Sequence, residues 1–153
     1  MNKPKVAVIG TGGTIASIGK TPLDILDYGA NKTMIEVDEI IAMFPIVHEV
    51  AEVVPVPYRA IPSPSVGFAE WRDLVLKSDE LAQDPDLDGI VVTHGTASLE
   101  ETAYALHLTV KADIPVVVVG SVCVWRDKIL LCRRAIDPRR GNKEIAQCGK
   151  GHV

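Results

Sequence analysis

Short apolar runs recur along most of the chain, and each ends at a glycine, a proline or a polar residue. Runs of this kind that are rich in valine and isoleucine are typical of buried β-strands. The pattern predicts strands over residues 5–9, 47–56, 89–92 and 114–119. The last run is continuously apolar rather than alternating, which is typical of a parallel sheet covered on both faces.

Between these runs, apolar residues recur at the spacing of a helix face. This spacing predicts helices over residues 31–44, Phe68–Leu81 and 98–110. Pro45 follows the first helix and is expected to end it. Ser98 and Glu101 stand three residues apart at the start of the third, which predicts a capping box. Because strands alternate with helices, we expect an α/β fold with a three-layer, doubly wound, mostly parallel sheet.

Composition narrows the class of protein without naming a function. The chain has 153 residues, 47% of them hydrophobic and 24% charged, as expected of a globular domain with a sizeable core. The net charge of −4 gives no electrostatic reason to expect nucleic acid or a membrane as partner. The apolar run after the basic start is too short for a signal peptide, and no run could span a bilayer. We therefore expect a cytoplasmic location.

The character of the chain changes near residue 121. Residues 1–121 carry 8 Lys and Arg against 17 Asp and Glu, whereas residues 122–153 carry 8 against 3. All three cysteines, Cys123, Cys132 and Cys148, lie in the second part, at spacings that match neither a zinc site nor a closed disulfide set. We therefore divide the chain into an α/β domain over 1–121 and an atypical basic tail over 122–153.

Two interpretations of the tail are open from its sequence. The apolar run 129–132 is compatible with an edge strand or with one helical turn, and the basic residues after it are expected to be poorly ordered. A nucleic-acid-binding arm over 133–140 is the less favoured interpretation of that charge, since a solvated tail explains it as well.

Two turns that bear threonine follow predicted strands. Residues 10–14 read Gly-Thr-Gly-Gly-Thr, and residues 93–96 read Thr-His-Gly-Thr. In an open α/β sheet, ligands bind at the carboxyl ends of the strands. The first turn lacks both the GxGxxG spacing and the lysine of a phosphate-binding loop, so a nucleotide site is the weaker interpretation. A hydroxyl presented beside free amides suits nucleophilic acyl transfer, although a plain glycine turn remains an alternative.

Three further candidates lie near the same edge. Ser63 and Ser65 belong to a proline-bounded loop after the second predicted strand, where loops also serve simply as connections. Tyr28 follows Thr14 in a loop, where a tyrosine often packs as a lid. His94 is interpreted as a structural histidine in preference to a base, and Thr96 is left free because Ser98 is expected to cap the next helix.

The two turns and their flanks resemble a known family. Residues 8–16, VIGTGGTIA, are similar to the first signature of the bacterial-type L-asparaginase/glutaminase family, and residues 92–104, VTHGTASLEETAY, are similar to its second. The similarity runs in order from about residue 5 to residue 121. It implies the family's α/β N-terminal domain and hydrolysis of a side-chain amide, such as that of L-asparagine, to the acid and ammonia. It also implies a reaction without metal or cofactor.

The resemblance implies a role for each matching residue. Thr14 would be the nucleophile that attacks the amide carbon, Tyr28 would close over it and relay its proton, and Thr96 would help to activate water or the amide. Ser63 would hold the α-carboxylate of the substrate. Backbone amides around Gly13 and Thr96 would form the oxyanion hole. The substrate-binding set implied in this way is Ser63, Gly13, Gly95 and Ala97. The family assembly, if retained, implies a homo-oligomer.

Ala97 and the tail depart from the family pattern. Ala97 stands where the family usually has an aspartate that binds the α-ammonium of the substrate. Without that carboxylate a desolvated ammonium is unpaired, so another amide or a lactam is an alternative substrate. After Ser121 the family's arginine-proline turn and its later lysine-bearing strand do not follow, and a frameshifted or truncated gene is our hypothesis for this change.

Three alternatives to an independent asparaginase follow. The chain could be a non-catalytic module of the same fold that binds a small ligand or a partner. It could be an asparaginase-like subunit that feeds ammonia to an amidotransferase. The third, a nucleotide-binding domain, is disfavoured by the spacing of the glycines.

Overall fold

The computed structural model describes residues 3–19 and 34–121, and the backbone of 131–136. Its centre is a five-stranded sheet in the order β2-β1-β3-β4-β5. The strands are β1 (Lys5–Gly10), β2 (Glu52–Val56), β3 (Gly89–His94), β4 (Val116–Ser121) and β5 (Leu131–Ile136). The first four are mutually parallel, and β5 pairs with β4 in the antiparallel sense. A doubly wound, mostly parallel sheet is therefore confirmed.

Within the described residues, four helices connect or flank the strands: α1 (Val37–Met43), α2 (Val47–Val50), α3 (Phe68–Leu81) and α4 (Leu99–Thr109). Three short 3₁₀ turns, Thr14–Ala16, Ser63–Ser65 and Thr96–Ser98, follow β1, β2 and β3 respectively. No helix of the described residues is both long enough and apolar enough to cross a membrane.

The main core lies on one face of the sheet. In the strand register, Ile9 of β1 is beside Val92 of β3, which is beside Val118 of β4. Because strand residues alternate between faces, these three project to the same side, and each is wholly buried. Leu74 of α3 and Leu106 of α4 complete this cluster from the helical layer. Burying each large aliphatic side chain of this kind contributes about 1.5–3 kcal/mol before entropy is counted.

The opposite face of the sheet is covered less completely. There α1 packs its buried Val37 against β1, where any side chain at Gly10 would overlap it. The valines of the central strands that project to this face, Val8, Val91 and Val117, are only half-buried. Parallel sheets normally bury both faces, so this surface has apolar area that the described helices leave partly open.

The strand order places a ligand crevice at a defined point. Strand β2 lies on one side of β1 in the sheet, and β3 lies on the other side of β1. The winding direction of the chain therefore reverses between β1 and β3. In open α/β sheets, the crevice lies where the order reverses, at the carboxyl ends of the strands. The turns that begin at Gly10 and Gly95 leave the sheet on either side of this point.

Several element boundaries differ from the sequence predictions. Helix α3 has the predicted bounds, but α1 begins at Val37 rather than residue 31. Met34 instead pairs with Ser17 in a β-bridge, and the Ile35 amide donates to the Ala16 carbonyl at 2.9 Å. This pairing holds the backbone extended where local periodicity favoured a helix. Residues 31–33 lie outside the described part.

The second predicted strand, 47–56, was half wrong. Residues Val47–Val50 form the single turn α2, and the strand begins only at Glu52. Pro45 explains the difference, because its fixed φ suits the start of a helical turn and the His48 amide donates to its carbonyl at 3.1 Å. In the tail, β5 shows that an edge strand is the form taken by residues 131–136, while residues 129 and 130 are not described.

Candidate active site

Three turns converge at the carboxyl edge of the sheet. The Thr11 amide donates to the Thr93 carbonyl at 3.1 Å, and the Ile61 amide donates to the Thr11 carbonyl at the same distance. Gly12 and Ile61 form an isolated parallel bridge, which extends the sheet beyond the ends of the strands. The turns after β1, β2 and β3 are therefore joined through the backbone.

Glycines allow the turns to approach so closely. Gly12 and Gly13 have φ values of 84° and 77°, a region that favours glycine strongly. A Cβ on Gly13 would overlap the backbone of Gly95, and a Cβ on Gly95 would overlap the side chain of Ser63. Gly13, Gly95 and Ser63 are thus stacked in direct contact. Three of the four positions that the resemblance assigned to substrate binding therefore lie together.

The four threonines of the two turns divide into two kinds. Thr11 is buried, and its hydroxyl donates to the Thr93 carbonyl at 2.8 Å. Thr93 is also buried, and its hydroxyl donates to the Ile9 carbonyl at 3.4 Å. Thr14 is half-buried and Thr96 is exposed, and each is the first residue of its 3₁₀ turn. The first pair joins β1 to β3, whereas the second pair is accessible to solvent.

Thr93 and His94 belong to the strand rather than to the turn. Strand β3 runs to His94, two residues beyond the end expected at residue 92, so the turn itself begins at Gly95. Within the described residues, neither the Thr14 amide nor the Thr96 amide donates to another backbone carbonyl of a turn or loop. An amide without such a partner in the described part of the chain is compatible with an oxyanion hole.

Ser63 is held by a contact that the sequence did not indicate. It is buried between two exposed prolines, and its carbonyl accepts from the hydroxyl of Ser98 at 2.5 Å. The predicted capping box of Ser98 and Glu101 was wrong, because the Ser98 side chain makes no bond to the first turn of α4. The Ser98 hydroxyl donates to this long-range partner, and no amide of the first turn of α4 donates to its oxygen, so this serine joins two turns instead of capping a helix. Ser65, the neighbouring candidate, is exposed.

The resemblance also assigned Ala97 and Tyr28 to the site. Ala97 is exposed in the third turn, next to Thr96. Tyr28 lies outside the described residues. Among the described side chains, no group of three or more His, Cys, Asp or Glu could hold a metal ion.

A surface network supports the loop that carries Ser63. Arg59 forms an ion pair with Asp73 of α3, and its guanidinium lies 5.6 Å from the centre of the Tyr58 ring. The Glu70 carboxylate accepts a hydrogen bond from the Gly67 amide at 3.0 Å at the start of α3. This bond, together with the nearby positive charge of Arg59, lowers the pKa of the Glu70 carboxyl. Burial raises the pKa of the Tyr58 phenol. These contacts attach the loop after β2 to the first turns of α3.

His94 is buried at the end of β3 and is hydrogen bonded on both ring nitrogens. Burial holds the pKa of its imidazole below the ordinary value of 6.5, against the opposing effects of the Gly95 carbonyl and Glu101. This environment agrees with the structural role expected from the sequence, because the ring has no access to a substrate proton.

Comparison with known proteins identifies the family. A family model described as asparaginase, N-terminal, matches residues 5–128, which is most of the chain. The chain belongs to the asparaginase family. The resemblance carried by the two threonine turns is thereby confirmed.

Individual relatives of this asparaginase-family chain agree. It is 42% identical over 117 residues to a glutaminase-asparaginase of Pseudomonas fluorescens biotype A, covering 76% of this chain and 32% of that protein. It is 44% identical over 121 residues to an L-asparaginase of Bacillus licheniformis, covering 79% and 35%. Among solved structures, a probable cytoplasmic L-asparaginase from Campylobacter jejuni superimposes with a TM-score of 0.70 at 31% identity, over 90% of this chain and 39% of that one. The chain therefore spans about a third of the length of these curated relatives.

Proposed function

We propose that this chain carries the nucleophile-bearing half of an amidohydrolase site, which hydrolyses a side-chain amide such as that of L-asparagine. The observation that supports this most strongly is the convergence of Thr14, Ser63 and Thr96 on three interlocked turns at the crevice of the sheet. Family membership supplies the reaction class, since the relatives are named asparaginases and glutaminase-asparaginases.

The proposed reaction is a double displacement at the amide carbon. The Thr14 hydroxyl attacks that carbon, its proton passes by way of Tyr28 to the leaving nitrogen, and ammonia departs from the tetrahedral intermediate. Water, activated with the help of Thr96, then cleaves the acyl ester, releases the acid and restores the Thr14 hydroxyl. The free amides near Gly13 and at Thr96 stabilise the oxyanion of each tetrahedral intermediate.

Substrate binding in this proposal depends on Ser63. The Ser63 side chain is buried against Gly95, which limits the rotamers open to its hydroxyl and keeps that hydroxyl beside the turn that carries Thr96. The hydroxyl donates to the α-carboxylate of the substrate, and the backbone of Gly13, Gly95 and Ala97 forms the walls. Because Ala97 brings no charge, the proposal includes amides that lack an α-ammonium group.

Ammonia release tests the proposal directly. The purified chain is incubated with L-asparagine, L-glutamine and succinamic acid, and ammonia is measured against the Thr14→Ala variant. Turnover of at least one substrate, absent in the variant, is the expected result. Ammonia release that does not exceed the variant for any substrate would remove the claim of catalysis.

A non-catalytic binding module is the second candidate, and the residue at position 97 favours it. Ala97 provides no partner for an ammonium ion, whereas Ser63 is the proposed partner of a carboxylate. This candidate predicts that succinate raises the melting temperature although no amide is hydrolysed. Ser63→Ala should abolish that stabilisation, whereas Ala substitution of the exposed Ser65 should preserve it.

Two properties of the whole protein complete the proposal. We infer a homo-oligomer, supported by the half-buried valines on the second face of the sheet. We also infer a cytoplasmic location, since the similar protein from Campylobacter jejuni is named a probable cytoplasmic L-asparaginase, whereas the relative from Haemophilus influenzae is named a probable periplasmic one. Cell fractionation with an antibody to the chain distinguishes the two compartments.

A further inference from the structure

His94 is a buried titratable group for which the proposed reaction has no use. It is the last residue of β3, its side chain is fully inaccessible, and it lies immediately before the turn that carries Thr96. Its Nδ1 lies 2.7 Å from the Gly95 carbonyl oxygen, and its Nε2 lies 3.0 Å from the Thr102 hydroxyl on α4. Both nitrogens are therefore engaged, and each partner constrains which nitrogen carries the proton.

The hydrogen bonds permit one consistent assignment of protons. A carbonyl oxygen can only accept, so Nδ1 carries the hydrogen and donates it to Gly95. Nε2 is then bare and must accept the hydroxyl proton of Thr102. The Thr102 oxygen in turn accepts from the indole Nε1 of Trp71 on α3 at 2.9 Å. The chain of donors runs from Trp71 through Thr102 and His94 to the Gly95 carbonyl.

The end of this chain lies at the proposed site. A peptide unit is planar, so holding the Gly95 carbonyl also sets the direction of the Thr96 amide on the other side of the same unit. Gly95 is at the same time in contact with Gly13 and Ser63, which leaves little room for that unit to rotate. The position of Thr96 therefore depends on helices α3 and α4 through a single imidazole.

We propose that His94 is a positioning residue, which, held in its Nδ1–H tautomer by Thr102 and Trp71, fixes the Gly95–Thr96 peptide and so directs the amide and hydroxyl of Thr96 at the substrate. The effect on turnover rests on the proposed function, but the tautomer and the effect on the peptide do not. If His94 only filled space, neither its tautomer nor the environment of the Thr96 amide would change when Thr102 is replaced.

A protonated ring is incompatible with this arrangement. With a second proton on Nε2, the Thr102 oxygen would face two donors, and its own hydrogen would need a new acceptor in a pocket closed to water. The buried environment therefore favours the uncharged ring throughout the pH range in which exposed histidines titrate. This preserves the orientation of the peptide.

The first test needs no activity and no variant. Long-range ¹⁵N–¹H spectra of the labelled full chain assign the tautomer of His94. A protonated Nδ1 with a bare Nε2, kept on acidification from about pH 7.5 to about pH 5.5, is the expected result. A protonated Nε2 at neutral pH would overturn the proposal, since the Gly95 carbonyl would then have no donor from the ring.

The second test uses matched variants. His94→Asn keeps a side-chain N–H near the position of Nδ1, whereas His94→Gln moves its N–H away from it. Thr102→Ser keeps the hydroxyl that Thr102→Val removes. We expect His94→Gln and Thr102→Val to shift the backbone Thr96 resonance and speed its hydrogen exchange, and their conservative partners to restore both. An unchanged Thr96 amide in folded Thr102→Val would contradict the proposal.

If the chain hydrolyses an amide, the third test compares kcat and KM of the wild type and Thr102→Val. Misplacement of a reacting group by a fraction of an ångström costs on the order of tenfold to a hundredfold in rate, so kcat should fall by that factor in Thr102→Val with little change in KM. A rise in KM with kcat unchanged would contradict positioning of Thr96. If the wild-type chain is inactive, the proposed function fails while the tautomer and amide results still decide the role of His94.

Discussion

Gly13 is the residue at which the backbone of the site tolerates least change. Its φ of 77° and ψ of −165° lie in a region that is almost exclusive to glycine, and a Cβ would overlap Gly95. We expect Gly13→Ala to reduce the free energy of unfolding by about 1–3 kcal/mol or more from the backbone conformation alone. Urea denaturation measures this loss. Gly67→Ala is the matched control, because Gly67 has a φ of −140° and its Cβ would meet no atom closer than 3.9 Å. Equal losses in the two variants would show that the interlocked turns do not constrain Gly13.

His94 should make stability depend on pH in a defined window. The pKa of its imidazole is lowered in the folded state, so near and below pH 6.5 the unfolded chain binds a proton that the folded chain does not. Stability therefore rises with pH through this window and falls on acidification until the folded pKa is reached. We expect the free energy of unfolding to fall between about pH 7.5 and about pH 5 by more in the wild type than in His94→Asn. Denaturant titration at each pH measures it, and a wild type that gains stability on acidification relative to the variant would refute this assignment.

At the residue scale, the sequence indicated which turns matter but could not separate their threonines. Thr11 and Thr14 both carry a hydroxyl in one glycine-rich turn. Only the pairing of β1 with β3 shows that the Thr11 hydroxyl is used within the fold, since it donates to the Thr93 carbonyl. Ser98 was misassigned for a similar reason. Its partner, Ser63, lies 35 residues away along the chain, beyond the reach of any local pattern.

At the element scale, local signals succeeded where nothing distant competed with them. Helix α3 is preceded by its N-cap Gly67, whose amide donates to Glu70, and the helix has the predicted bounds. Helix α1 was shortened by the bridge between Ser17 and Met34, a pairing between segments that periodicity cannot foresee. Elements whose ends are set by their own residues could be predicted, and those whose ends are set by another turn could not.

The bond from Ser98 to Ser63 provides an experiment at this scale. Ser98→Ala removes the donor, while the Ser63 carbonyl keeps its bond from the Val66 amide at 3.0 Å. We therefore expect a loss of about 0.5–1.5 kcal/mol in the free energy of unfolding. Helix content should not change, because the side chain caps no helix. Urea denaturation and far-ultraviolet circular dichroism measure the two quantities. Replacement of exposed Ser65 by alanine is the control, with a loss near zero. A loss of helical signal in Ser98→Ala would instead support the capping box.

At the scale of the whole molecule, the alternation of elements was sufficient to predict the doubly wound sheet. The meeting of the site residues also follows from topology, because the winding reverses between β1 and β3. The contact between the turn after β2 and the other two was not predictable in the same way, since it depends on the backbone bond from Ile61 to Thr11. The sequence thus placed all three turns at one edge of the sheet, and the structure added the backbone bonds that join them.

The partly covered face of the sheet leads to a prediction about assembly. Val8, Val91 and Val117 of the central strands are half-buried there, and apolar area of this kind favours association. We expect the purified chain to form a dimer or a larger oligomer at micromolar concentration. Size-exclusion chromatography with light scattering measures its mass. Val91→Thr should weaken the association, whereas a monomer at all concentrations would show that this face is not used.

The central claim is that Thr14 carries the chemistry while Thr11, three residues before it, carries structure. The most direct measurement compares ammonia release and unfolding free energy in Thr14→Ala and Thr11→Val. Thr14→Ala should lose turnover entirely and keep its stability, because no hydrogen bond among the described residues uses its hydroxyl. Thr11→Val should lose about 1 kcal/mol of stability with its bond to Thr93 and keep turnover per folded molecule. Turnover that survives in Thr14→Ala, or that disappears only in Thr11→Val, would contradict the account.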